Sequence, residues 1–298
     1  MRHKVFLSTV IVATIFHFAG LIANLFIAIF YGKNWIKNHR IASSDRILLS
    51  LGIVRFLMMA LFLIKTICII IFPSIFGSVQ VFIFFLVCWM FLDSNSLWLV
   101  TLLNALYCVK ISNFQHTMFL LLKQNFSSKI PGLLLAGVLI SVFLTFLYIG
   151  LRLTLYPAVS VSGKNVTELD MKNVLSSVAC FVLSSSLQFI MNVTSASLLI
   201  NSLRRHIQKM QRNATGFWNP QVEAHVGTMK LMICFLIFYI PYFVATMLYS
   251  LGYFARLSVA VKSGCMVISS LYHPGHSILI ILTHPKLKTK AKKILCFN

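Results

Sequence analysis

Seven long apolar runs, each with few charged residues, follow one another along this chain of 298 residues. A helix that crosses about 30 Å of hydrocarbon needs roughly 20 residues, and every run reaches that length. The strict apolar–polar alternation of a membrane β-barrel is absent from them. We therefore predict an all-α membrane protein, a seven-transmembrane-helix bundle that forms a single domain over residues 1–298 with short loops and no separate soluble domain. The predicted spans are Phe6–Phe30, Ile47–Phe72, Val79–Val109, Ile130–Leu151, Val174–Ser202, Val226–Ser250 and Leu257–Ile281.

The distribution of positive charge orients these helices. With the N-terminus outside, seventeen of the 26 lysines and arginines fall on the inner side and seven on the outer side. Because lysine and arginine concentrate in cytoplasmic loops, we expect an extracellular N-terminus and a cytoplasmic C-terminus. The net charge of +21 then indicates contact with anionic inner-leaflet lipid and an acidic cytosolic partner, with no nucleic acid as partner. In this orientation Asn165 carries the single N-x-S/T sequon in an outer loop, so we predict glycosylation there.

Nothing in the sequence predicts catalysis. The chain has five acidic residues and lacks the G-x-S-x-G, H-E-x-x-H and P-loop motifs. His273, His276 and His284 lie near the end of the last run, but no nearby acid or thiol completes a metal site, so we expect structural roles, no metal and no cofactor. Two classes remain: a seven-helix receptor, or a carrier with ionisable groups along its path. The halves show no internal repeat, which favours the receptor.

Three stretches of the sequence carry a specific resemblance. Residues 97–123 read "LWLVTLLNALYCVKISNFQHTMFLLLK", residues 202–230 read "SLRRHIQKMQRNATGFWNPQVEAHVGTMK" and residues 276–288 read "HSILIILTHPKLK". Together with an arginine inside the second span, they closely resemble the type 2 taste receptors, the bitter receptor family. This chain departs from the family's YPSxHS pattern with "YHPGHS", which moves the proline from position 273 to Pro274. The resemblance identifies a divergent member whose ligand cannot be copied from a relative.

The resemblance implies a G protein-coupled receptor in the plasma membrane with a ligand pocket between the outer helix halves. The implied partners are small bitter compounds, a heterotrimeric G protein of the gustducin/Gi type, and membrane lipid, with sterol binding left open. Vomeronasal type 1 receptors share the size and topology and are the alternative, followed by a carrier. Vomeronasal type 1 receptors lack the motif at the end of the third helix (residues 97–123) and the motif of the third inner loop (residues 202–230).

Asp93 is one of the five acids and lies inside the third span. It is seventeen residues, or roughly 25 Å, above Lys110 at the inner end, which corresponds to the outer third of the membrane. Lys65 on the second span reaches a similar level, so two readings stay open: an ion pair that neutralises two charges, or a carboxylate that contacts cationic ligands. Trp89, one turn outward, would offer a π face to the same cation. The full set of candidate ligand-binding residues is Trp89, Asp93, Lys65, Phe181, Ser185, Tyr239, Tyr242, Thr246, Met266 and Ser270.

A second set of polar residues lies nearer the cytoplasmic side. In the family the arginine that matches Arg55 joins the first, second and seventh helices, and a buried guanidinium with five donors needs such acceptors. The predicted activation network is Asn24, Arg55, Tyr107, Lys110, His206, His276 and Ser277, with His206 or His276 holding the resting state. The predicted G-protein-facing residues are Lys123, Arg204, Arg205 and Lys209.

Overall fold

The computed structural model describes residues 2–38, 41–72, 74, 78–111, 117–153, 185–205, 208, 220–251 and 258–295. Seven long helices and one short helix account for nearly all of them. They are α1 (Arg2–Asn38), α2 (Ser43–Ile71), α3 (Val79–Ile111), α4 (Thr117–Leu153), α5 (185–205), α6 (Pro220–Leu251), α7 (Val259–Thr283) and α8 (Pro285–Leu295).

Several helices continue past the apolar runs that predicted them. The first run ends near Phe30, whereas α1 continues to Asn38 through Lys33 and Lys37. Hydropathy marks where a helix meets water, but backbone hydrogen bonds allow the helix to continue in water. The C-terminal end of α1 is therefore a helical extension that carries positive charge.

Six helices of the described residues are long and apolar enough to cross a membrane. They are α1, α2, α3, α4, α6 and α7, and the fifth predicted span, Val174–Ser202, lies partly outside the described residues. Large apolar side chains cover the outer surface of the bundle; Ile70 is 73% exposed and Phe146 is 68% exposed. Such a surface is unfavourable in water and is matched to lipid.

The helices pack in a ring. α1 lies between α2 and α7, α6 packs on α7, α2 packs on α3, and α3 packs on α4. One apolar cluster runs through the bundle and includes Ile27, Leu103 and Phe235 from three different helices. This arrangement brings the polar residues of α1, α2, α3, α6 and α7 to the same interior.

Glycines allow close contact of α1 with its two neighbours. A Cβ atom at Gly20 would lie 2.9 Å from Cγ of Pro274 in α7. A Cβ atom at Gly52 in α2 would lie 3.0 Å from Cγ2 of Ile27 and 3.2 Å from the backbone nitrogen of Ala28. Small residues at these points let the backbones approach, as is common in membrane helix pairs.

The sequence also explains where α7 begins and ends. Ser258 caps its N-terminus, with its hydroxyl accepting a hydrogen bond from the amide of Val261 at 3.4 Å. His284 leaves the helix in an extended conformation (φ −80°, ψ 116°), as expected of the residue before a proline. Pro285 then opens α8 at a position where a missing N–H costs nothing.

Candidate functional site

Asp93 on α3 is bound by side chains from α6 and α7. The Tyr242 hydroxyl donates to both carboxylate oxygens, at 3.1 and 3.0 Å, and Nε2 of His273 lies 2.8 Å from Oδ1. The sequence favoured Lys65 as the structural partner of Asp93, whereas the described hydrogen bonds come from Tyr242 and His273. The expectation that His273 has no acid nearby is wrong, because the bundle brings Asp93 to it from 180 residues away.

A cavity of about 10 Å³ opens beside this carboxylate. A cavity of that size holds about one water molecule, whereas a pocket for a drug-sized ligand occupies about 300 Å³ or more. Five of the predicted ligand-binding residues line it: Asp93, Ser185, Tyr239, Tyr242 and Thr246. Sequence reasoning missed the other three lining residues, Leu97, Phe243 and Met247, which are apolar residues of apolar helices and carry no distinguishing signal.

The other predicted ligand-binding residues lie elsewhere or outside the described residues. Trp89 faces α1 and α2, with its ring centroid 6.0 Å from that of His17 and 6.1 Å from that of Phe62. Lys65 and Met266 are half-buried and do not line the cavity. The Ser270 hydroxyl donates to the carbonyl of Val267 in its own helix. The remaining member of the set is Phe181, which lies outside the described residues.

Arg55 is fully buried and ties three helices together. Its Nε donates to Oγ of Ser96 on α3 at 2.9 Å, and its Nη1 donates to Oγ of Ser277 on α7 at 3.1 Å. The guanidinium carbon also lies 5.6 Å from the centre of the Tyr272 ring. The Ser277 hydroxyl in turn lies 2.8 Å from Oδ1 of Asn24 on α1, so four helices meet at this arginine.

Three members of the predicted activation network, Asn24, Arg55 and Ser277, are thus joined by hydrogen bonds. Ser96 was missed, although its position three residues after Asp93 in a polar stretch of α3 was a usable signal. His276 lies one turn after His273 on α7, with its ring 5.3 Å from Phe235 and 5.9 Å from Tyr272. Whether these contacts switch during activation stays a prediction.

A second polar cluster joins α3 to α5. Nδ2 of Asn104 donates to Oδ1 of Asn192 at 2.9 Å, and Nδ2 of Asn192 donates to Oγ1 of Thr101 at 2.7 Å. Asn192 is fully buried, so its N-x-S/T sequon is inaccessible inside the bundle. Paired amides of this kind hold membrane helices together, because lipid offers no alternative partner.

The junction of α7 and α8 lies against the start of α2 and against α1. Nζ of Lys286 lies 3.8 Å from Oδ2 of Asp45, and the Tyr31 hydroxyl lies 3.4 Å from Nδ1 of His284. Burial is the main reason that the pKa of His284 lies below its ordinary value; Asp45 raises it and Lys286 lowers it. The lowered pKa favours the neutral imidazole at this junction.

The predicted G-protein-facing residues are only partly described. Arg204 and Arg205 are exposed at the C-terminal end of α5. Tyr107 packs between the two apolar clusters of the bundle. The side chains of Lys110 and Lys123, and the whole of His206, Lys209 and Asn165, lie outside the described residues.

Comparison with known proteins agrees with this architecture. The family model for taste receptor protein (TAS2R) matches residues 1–298. The human protein named taste receptor type 2 member 4 is 60% identical over 299 residues and covers 100% of both chains. The mouse protein of the same name is 55% identical over 291 residues, covering 97% of each chain. The crystal structure of squid rhodopsin superposes with a TM-score of 0.65 at 12% identity, over 100% of this chain and 87% of that one.

The likeness to rhodopsin confirms the predicted seven-helix receptor fold, and the match to the family model confirms the resemblance seen in the sequence motifs. The chain is a multi-pass membrane receptor and not an enzyme. From the match over its whole length and the 60% identity to curated relatives, we conclude that the chain belongs to the type 2 taste receptor family.

Proposed function

We propose that this receptor detects bitter small molecules in an outward-facing pocket around Asp93 and signals to a heterotrimeric G protein of the gustducin/Gi type. The observation that carries the proposal is a carboxylate at a cavity between helices, in a chain with five acidic residues. Pockets of this kind are mostly apolar with a few placed polar groups, and the aromatic and polar lining residues fit that description.

The carboxylate gives the pocket a preference for amines. Asp93 keeps a side-chain exposure of 17% in an apolar setting, where an opposite charge is attracted more strongly than in water. Trp89, Lys65, Phe181, Met266 and Ser270 belong to the pocket in its open, ligand-bound form. Trp89 then offers its ring to the same cation from one turn outward.

Activation is a shift between two helix arrangements. A ligand that binds one helix arrangement more tightly raises the population of that arrangement, and no other effect of the ligand is needed. Arg55 supports this view, because its bonds to Ser96 and Ser277 join α2 to both α3 and α7. Asn24, Tyr107 and His276 complete the network that rearranges, together with Lys110 and His206.

The inner surface supplies the contact for the G protein. Arg204 and Arg205 are exposed at the end of α5, and Lys110, Lys123 and Lys209 add positive charge on the same side of the predicted topology. A basic cleft that opens when α5, α6 and α7 move apart attracts an acidic segment of the partner. This requires an extracellular N-terminus in the plasma membrane, as the charge distribution predicts.

The test is calcium release in cells that express this chain with a promiscuous G protein, challenged with cationic and neutral bitter compounds. We expect dose-dependent responses that need both the receptor and the G protein. Asp93→Asn should abolish responses to amines and spare those to neutral agonists. Ser269→Ala is the matched control, since its hydroxyl bonds the carbonyl of Met266 in its own helix.

The contrary outcomes are distinct. Equal loss of cationic and neutral responses in Asp93→Asn, at normal surface expression, would assign Asp93 a role in folding. Agonist-independent solute flux without any G-protein signal would support a carrier instead.

A further inference from the structure

The cation site at Asp93 is already filled by the chain itself. His273 places Nε2 2.8 Å from Oδ1 of Asp93, and its side chain is 3% exposed. The Tyr242 hydroxyl donates to the same carboxylate, so Asp93 bonds both Tyr242 and the imidazole of His273. An incoming ammonium group finds the oxygen atoms of Asp93 engaged on the sides of α6 and α7.

His273 has one described side-chain hydrogen bond, the one to Asp93. Its Nδ1 is buried and has no hydrogen-bond partner among the described residues. The ring is otherwise held by edge contacts, with centroids 5.5 Å from Tyr242 and 4.7 Å from Tyr272. The carboxylate is therefore the principal polar contact that fixes the orientation of this imidazole.

We propose that His273 is an internal stand-in for the ligand's donor group, and that an amine agonist activates the receptor by replacing it at Asp93. This inference rests on the proposed function and names the residue that sets its preference for amines. The cavity beside Asp93 has a volume of about 10 Å³, so an agonist gains space only when neighbouring side chains withdraw. Exchange of one charge-assisted hydrogen bond for another keeps the carboxylate satisfied throughout.

The exchange also acts on α7. The Ser277 hydroxyl lies 3.0 Å from the main-chain carbonyl of His273 and accepts from Nη1 of Arg55. When the imidazole leaves Asp93, α7 loses a tie to α3 one turn away from the Arg55 network. Recognition of the amine and release of α7 are thereby the same event.

The experiment replaces the imidazole at position 273 with one weaker and one stronger competitor for the carboxylate. His273→Gln keeps a neutral donor, and His273→Lys provides a permanent cation in the same place. EC50 values for quaternary ammonium and neutral agonists are measured by calcium release, with surface expression followed on an N-terminal epitope. We expect the ammonium EC50 to fall about tenfold in His273→Gln and to rise at least tenfold in His273→Lys, with neutral agonists shifted less than threefold in both. Adding Asp93→Asn to either variant should remove the difference, and Ser269→Ala should show none.

Shifts of the same sign in both variants, or equal shifts for ammonium and neutral agonists, would overturn the proposal and leave the proposed function standing. If His273→Lys does not reach the surface, His273→Gln with and without Asp93→Asn decides alone. A gain in sensitivity to ammonium agonists that requires Asp93 supports the proposal. The absence of that gain refutes the proposal. Failure of the wild-type receptor to signal with any compound, at normal surface expression, would instead refute the proposed function.

Discussion

Arg55 shows how much a single buried side chain can organise. A guanidinium has five N–H donors, and two atoms of this one are satisfied by the hydroxyls of Ser96 and Ser277. Its Nη2 has no hydrogen-bond partner among the described residues. Loss of either acceptor would leave one more buried N–H group of Arg55 without a hydrogen bond.

We predict that Ser96→Ala lowers the free energy of unfolding by about 1–3 kcal/mol, because it leaves Nε of Arg55 buried without its acceptor. The measurement is thermal unfolding of the detergent-solubilised receptor. Ser269→Ala should stay within about 0.5 kcal/mol of wild type. Equal effects of the two substitutions would mean that the bond to Ser96 contributes nothing.

Single residues were predicted unevenly from the sequence. Asp93 and Arg55 stand out as charges inside apolar runs, and such charges mark functional positions. Their pairings could not be assigned, because Ser96 and Tyr242 lie on helices far in sequence from the charges that they bind. His273 was judged to lack an acid for the same reason: no local pattern brings Asp93 and His273 together.

At the scale of the helices, Gly52 lets α1 and α2 approach closely. A Cβ at Gly52 would lie 3.2 Å from the backbone nitrogen of Ala28 and 3.3 Å from the backbone oxygen of Asn24, and these two atoms cannot rotate away. Backbone contact of this kind fixes the separation of the two helices. Arg55 lies one turn further along α2, so its position relative to α1 depends on that separation.

Gly52→Ala should therefore destabilise the receptor by about 1–3 kcal/mol, because the added methyl forces α1 and α2 apart. Gly132→Ala on α4 is the matched control, since a Cβ there meets nothing within 4 Å. It should be neutral or stabilise by up to about 1 kcal/mol, as alanine favours a helix over glycine. Thermal unfolding of both variants checks this, and a stable Gly52→Ala protein would show that α1 can shift.

The joint between α7 and α8 carries a pH dependence. The pKa of His284 is lower in the folded protein than in the unfolded chain, so the neutral form is the one that the fold favours. Its contribution to stability is complete above about pH 6.5 and is lost as the pH falls from there towards the folded pKa.

We expect the melting temperature of wild type to drop more between pH 7.5 and pH 5.5 than that of His284→Asn. Asparagine can still bond the Tyr31 hydroxyl and does not titrate in this range. If the melting temperatures of the two proteins fall equally with pH, His284 does not contribute to the pH dependence of the junction between α7 and α8.

Among the elements, the apolar runs predicted the helices well and some of the helix ends poorly. Lipid demands an apolar surface, so hydropathy registers the membrane and stops where water begins. The continuation of α1 to Asn38 depends on backbone hydrogen bonding, to which hydropathy is blind. The separate α8 could be anticipated from "THPKLK", because a proline ends one helix and starts another.

For the whole molecule, the charge distribution makes a topological prediction. Asn165 lies in a predicted outer loop, whereas the sequons at Asn125 and Asn213 lie on the predicted inner side. Asn165→Gln should abolish the mass shift that a glycosidase produces on the expressed receptor. Asn125→Gln and Asn213→Gln should leave the shift unchanged. A shift that survives Asn165→Gln would invert the assigned orientation or place glycosylation elsewhere.

The closed cavity beside Asp93 also governs how much compound the receptor needs. Apparent affinity is the intrinsic affinity scaled by the fraction of molecules in the competent state. If about one molecule in a hundred is open, a compound with an intrinsic Kd of about 1 μM is registered only near about 100 μM. Such a receptor does not respond to trace concentrations of a compound. Its threshold concentration depends on the tightness of its own packing as much as on the chemistry of the compound.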